Sequence, residues 1–326
     1  MDEKLWETLY EKILEGDIIK VLSFVFEYIT KDDIFMNGSL KRVCIELLLL
    51  AILAGVFSAF MDSFANKEVS RMSSFMIHLL LFSMLITVFL EMRQIAEKVL
   101  TAIITLMNAA IPIYYMAVSA SGNHLSAYTY YRVSILAIYA AEQLILNVLL
   151  PLVSCYMILT FGNALWMEKK LSVLTDFMKK VIQAALKTIV GVVSGIGILQ
   201  SMVAPMLDGL KNDTAKKAVS MIPGIGNVAE GMTELTLGSL MLIKNSVGLC
   251  VFLMLFIVAA IPVIKLFTVS LLLRLCGALM AVVSEKDISR PVIDTSEAVG
   301  ILLKIVMTVL LLFMVSIAIV LFTTNG

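Results

Sequence analysis

Residues 246–283 read SVGLCVFLMLFIVAAIPVIKLFTVSLLLRLCGALMAVV, an apolar run interrupted only by Lys265, Arg274 and the single proline Pro262. A bilayer core takes roughly 20 apolar residues of helix, since a helix satisfies its own backbone N–H and C=O groups where no water can. The run therefore predicts two crossings, Ser246 to Ile264 and Leu266 to Val283, joined near Lys265.

The rest of the 326-residue chain agrees with this reading. It is 60% hydrophobic and 15% charged, with a mean hydropathy of +0.98. A soluble domain carries about a quarter charged residues, so this chain lacks the polar groups to cover its own surface and uses lipid as solvent. Further spans are expected at Val43 to Met61, Met72 to Leu90, Val99 to Ser119, Val133 to Phe161, Thr188 to Leu210 and Val299 to Phe322. The predicted fold is an all-α polytopic bundle of about eight transmembrane helices, with a charged amino-terminal region over 1–42 and a membrane domain over 43–326.

Two stretches depart from simple spans. Over 166–187, Leu174, Phe177, Met178, Val181, Ile182 and Ala185 recur at helical spacing among Lys169, Lys170, Lys179, Lys180 and Lys187. That pattern suits either an amphipathic helix lying on a membrane surface or a basic connecting helix packed on the bundle. Over 218–243 the chain holds MIPGIGNVAEG, whose Pro223, Gly224, Gly226 and Asn227 predict a broken or re-entrant segment. Irregular backbone at membrane depth needs protein or water to satisfy it, so this segment either sits inside the bundle near a conduit or forms an interfacial loop.

Counting Lys and Arg in short loops sets the orientation. Lys31, Lys41, Arg42, Arg93, Lys98 and the five lysines of the amphipathic segment oppose Lys67, Arg71 and Arg132, which places the amino terminus in the cytoplasm.

Several function classes fall away. Twenty-five basic residues balance 25 acidic ones, so no net field recruits nucleic acid. Cys44, Cys155, Cys250 and Cys276 are scattered singly, without the spacing of a zinc site or disulfide framework. His78 and His124 have no metal-ligand spacing, and no G-x-S-x-G or Walker glycine loop is present. No catalytic, cofactor or metal site is expected, and the chain reads as non-enzymatic.

Charge inside a span costs roughly 2.5 to 3.5 kcal/mol at a helix centre. Glu142 and Arg274 lie deepest and are expected to pair or face a common cavity. Gln143 and Asn147, four apart, suit interhelical hydrogen bonding, and Glu142 reads either as a titrating group or as part of the same polar clamp. Gly191 and Gly195 have the small-xxx-small spacing that lets helices approach closely.

The run SMIPGIGNVAEGMTELTLGSLMLIKNSVG, residues 220–248, followed by a span closing in AAIPVIKL, resembles the stage III sporulation protein AE family of spore-forming Firmicutes. The features that carry the likeness are Pro223 and Gly226, Lys244 and Asn245, Val247 and Gly248, then Pro262 and Lys265. The resemblance implies a multi-pass subunit of a transenvelope channel complex joining mother cell and forespore, in the mother-cell membrane around the forespore. It also implies partners from the same operon, among them an ATPase and ring-forming membrane proteins, and makes the segment from Pro223 to Asn245 a pore or packing element. Family members carry a signal-like amino-terminal segment that the charged start of this sequence does not match. Two other readings of the residues are an autonomous proton-coupled permease using Glu142 and a non-conducting membrane scaffold.

Overall fold

A computed structural model describes residues 67–120, 124–165, 171–192 and 226–323 apart from 284–285, with isolated positions at 45, 49, 194, 195 and 198. Among these residues all regular structure is helical. α1 spans Lys67–Ala120, and α2 spans His124–Tyr139. A π-helical segment, Ala140–Leu149, joins α2 to α3, Leu150–Leu165. α4 covers residues 172–192, α5 covers Gly226–Val283 and α6 covers Lys286–Thr323.

Four helical stretches are long and apolar enough to cross a membrane: His78–Ala120, Tyr130–Ala164, Asn245–Ala281 and Ser289–Ala318. Eight crossings are expected from the sequence, and the difference has identifiable sources. Val43 to Met61 and most of Thr188 to Leu210 lie outside the described residues. The other six merge into four, because Met72 to Leu90 and Val99 to Ser119 are one helix of 54 residues. Ser246 to Ile264 and Leu266 to Val283 likewise belong to one helix of 58 residues.

Both merges have the same cause. Residues 91–98, EMRQIAEK, are charged but contain no glycine, proline or asparagine, so nothing in them stops a helix. Arg93 and Glu97 even form an i,i+4 ion pair at 4.0 Å. Lys265 follows Pro262 within α5, and the lost backbone bond at that proline does not end the helix. Consequently Arg93 and Lys98 are mid-helix residues rather than loop residues, which removes them from the charge count used for orientation.

α1 holds 54 residues and α5 holds 58, each more than twice the roughly 20 residues that one crossing takes. The most apolar stretch, within Asn245–Ala281, is also the least buried, at 28% against 56% within Ser289–Ala318. Leu249, Phe256, Phe267, Leu271, Leu275 and Leu279 of α5 are all exposed. An apolar helix with an uncovered apolar face is stable in lipid and not in water.

The chain divides into two compact units. The first comprises Met1–Val99, Leu149–Ile182 and Ala260–Val306, and the second Leu100–Val148, Gln183–Ala259 and Met307–Gly326. In the first, Leu81 and Leu85 of α1 are buried, as are Val153 and Met157 of α3 and Leu302 and Ile305 of α6. Phe82 and Phe161 stack with ring centroids 4.8 Å apart. In the second, Met107, Ile111 and Tyr114 of α1 are buried, together with Ala137 of α2 and Phe313 and Ile317 of α6. Tyr114 and Tyr130 meet edge to face at 5.0 Å, and Tyr115 and Tyr131 lie tilted to one another at 5.3 Å. These ring pairs fix α2 against the end of α1, beyond what area burial alone supplies.

Candidate functional site

The first unit contains a polar seam where α3, α4 and α6 meet. Its geometry begins with a tight corner. Asn163, near the end of α3, accepts a hydrogen bond through Oδ1 from the Leu171 N–H at 3.1 Å, and the Thr175 N–H donates to the Leu171 carbonyl at 3.0 Å. α4 then buries Thr175, Ile182, Leu186 and Ile189 at helical spacing. Val173, Leu174, Phe177 and Val181 form a second apolar face that stays exposed.

α6 is held in register against α5 by small and hydroxylated residues. Ser270 Oγ donates to the Ser296 carbonyl at 3.0 Å, and Ser296 Oγ donates to the Ser270 carbonyl at 2.7 Å. Gly277 faces Ile293 so closely that an added Cβ would lie 2.6 Å from Ile293 Cγ1 and 3.3 Å from its backbone nitrogen. A side chain at 277 would push the two helices apart. Thr295 Oγ1 returns a bond to the Pro291 carbonyl at 2.7 Å, so this hydroxyl is satisfied within its own helix.

That register fixes Glu297, one residue beyond Ser296. Its Oε1 accepts from Lys179 Nζ of α4 in an ion pair, and its Oε2 accepts from Tyr156 Oη of α3 at 3.3 Å. Tyr156 is buried, and its carbonyl accepts from Thr160 Oγ1 at 2.8 Å. Asp294, one turn earlier, lies within electrostatic reach of Arg290, Glu297, Lys179 and Asp176. The result is one carboxylate tying three helices, with alternating charges around it. Such a seam can hold the helices in a single arrangement or change that arrangement when a charge is removed. Among the described residues no three His, Cys, Asp or Glu side chains converge as metal ligands would.

The residues singled out by sequence are placed elsewhere. Glu142, Gln143 and Asn147 lie in the π segment and are exposed. Asn147 Nδ2 donates to Gln143 Oε1 at 3.3 Å, a bond within one element rather than between helices. Arg274 is exposed on α5 and belongs to the first unit, whereas Glu142 belongs to the second. No described atom lies within 4 Å of a Cβ added at Gly191 or Gly195, so the close helix contact predicted from their spacing is not made by the described residues.

Pro223 and Gly224 lie outside the described residues, while Gly226 and Asn227 open α5. Lys244 is a helical position of α5 whose side chain lies outside the description. Residues 226–243 of the expected broken or re-entrant segment are the start of the long α5. Asn245 has a buried Oδ1 with no hydrogen-bond partner among the described residues. Sequence reasoning missed Tyr156, Ser270, Gly277 and Glu297, and met Lys179 only as one cation among five. The available signal was Asp294 and Glu297, three apart on one helical face of IDTSEAVG.

Long apolar helices with uncovered outer faces, joined by a polar seam, define a polytopic α-helical membrane protein. The family model for stage III sporulation protein AE matches residues 3–324. The chain belongs to the stage III sporulation protein AE family. The stage III sporulation protein AE of Bacillus subtilis (strain 168) is 23% identical over 260 residues. That match takes in 79% of this chain and 64% of the relative, so the chain spans less than two thirds of that protein's length. No solved structure matches.

Proposed function

We propose that this protein is a non-enzymatic membrane subunit of a channel or secretion-like complex that joins mother cell and forespore during spore development. It sits in the mother-cell membrane around the forespore and works with membrane proteins of the same operon, including ring-forming subunits and an ATPase. The observation that carries the reading is the family match along 3–324, nearly the whole chain. The polar seam around Glu297 supports it, since a subunit of an assembly needs helices held in a defined arrangement. An autonomous permease coupled to protons through Glu142 has less support, because Glu142 is exposed rather than enclosed.

The test is an affinity-tagged chain in a sporulating host. The expected outcome is a membrane complex containing the neighbouring sporulation gene products, together with loss of heat-resistant spores on deletion. Normal spore yield without the gene, or solute uptake by the purified protein alone in vesicles, would overturn the proposal.

A further inference from the structure

Tyr114 of α1 is 1% exposed, and its Oη, buried with the ring, has no hydrogen-bond partner among the described residues. A hydroxyl shut away from solvent without a partner is costly and rare, so its position calls for a physical account. Three more hydroxyls of the second unit extend from it. The Tyr130 ring meets that of Tyr114 edge to face, and Tyr130 Oη is within electrostatic reach of both Tyr114 and Ser134. Ser134 Oγ in turn faces Ser316 Oγ of α6 across 3.5 Å, well beyond the roughly 2.7 to 2.8 Å usual between bonded hydroxyls. Tyr130, Ser134 and Ser316 are 3%, 0% and 7% exposed. Three helices thus contribute four buried hydroxyls, one of them unbonded and two held too far apart to bond well.

We propose that these hydroxyls hold an internal water molecule between α1, α2 and α6. The chemistry of the lining selects the ligand. No Asp, Glu, Lys or Arg is among the buried residues described, so an ion would enter without a countercharge. An apolar solute offers no acceptor for the Tyr114 proton. Water both accepts and donates: it takes the proton of Tyr114 Oη in a hydrogen bond and gives its own to Tyr130 Oη or Ser134 Oγ. That set lies within the two to four polar partners an internal water takes. Lipid tails cannot satisfy a hydroxyl, so inside a membrane span this water does what bulk solvent does elsewhere. Tyr114 before Ala120, Tyr130 after His124 and Ser316 before Thr323 each lie about two turns inside a helix end, a short path for exchange. The inference goes beyond the channel reading and does not depend on it.

The experiment uses the purified full chain in lipid nanodiscs, given a brief X-ray pulse with a scavenger that removes radicals formed in bulk solvent. Radiolysis of a bound water leaves a hydroxyl radical that labels the ring beside it, read as a gain of one oxygen by peptide mass spectrometry. Tyr114 should be labelled about fivefold more than Phe313, an aromatic ring of the same unit that is just as buried. In Tyr114→Phe the water loses its anchor, and labelling at 114 should fall to the level of Phe313. The same variant should melt about 2 °C lower, since a water-mediated bond is lost. A hydroxyl that truly lacked a partner would instead be better replaced by hydrogen. Labelling of Tyr114 no greater than that of Phe313, labelling undiminished in Tyr114→Phe, or a melting point raised or unchanged by that substitution would each overturn the proposal.

Discussion

The two units use different means to fix helices against one another. In the first, directional bonds set the register: the reciprocal Ser270 and Ser296 pair, then Glu297 shared between Lys179 and Tyr156. In the second, contact runs through apolar side chains and paired tyrosine rings, with Ser134 Oγ and Ser316 Oγ meeting at 3.5 Å. Directional bonds lose their value over a few tenths of an ångström, whereas apolar packing tolerates small sliding. The first unit is thus built to hold one register, and the second to lose stability mainly through lost volume.

Four substitutions probe that contrast, each read as thermal stability of the purified protein by circular dichroism in a fixed detergent. The largest expected loss is Phe313→Ala in the second unit, where a fully buried ring is removed, at about 3 to 5 kcal/mol. A loss below 1 kcal/mol would mean that the apolar core of that unit is not its main support. Next is Gly277→Val in the first unit, at about 1 to 3 kcal/mol, since the added atoms meet Ile293. The same change at Gly191, where a Cβ meets nothing, is the matched control and should leave the melting point in place.

Lys179→Met follows, expected to cost about 0.5 to 1 kcal/mol, because Glu297, its side chain 44% exposed, then keeps only Tyr156. A double-mutant cycle with Glu297→Gln should return a coupling of roughly 0.5 kcal/mol, and zero coupling would mean that the pair does not hold α4 to α6. The smallest effect is expected at Ser134→Ala, within about 0.5 kcal/mol, since its bond to Ser316 is long. A larger loss there would show that the second unit also depends on directional bonding.

Much of this architecture was legible from residues alone. Lipid as solvent followed from composition. Nothing in Glu142, Gln143 and Asn147 foretold the π geometry of Ala140–Leu149 that holds them. The run around IPGIGN carried the family. Helix ends were less legible, because charge at 91–98 and at Lys265 looked like punctuation while every residue there favours or tolerates a helix. The seam was hidden for another reason: Lys179 and Glu297 are 118 positions apart, and nothing local in either segment names the other. Glu142 and Arg274 drew attention by their depth in apolar runs, yet depth along a run does not say which way a side chain faces.

Beyond Pro262, α5 runs without a turn to Val283 inside the first unit. A loop would absorb a push by flexing, but a continuous helix passes displacement and rotation along its axis. Its one softened joint is Pro262, where the backbone donor to the Val258 carbonyl is missing. Rotation of the helix beyond that joint would therefore reach α6 through the Ser270 and Gly277 contacts, all within the first unit.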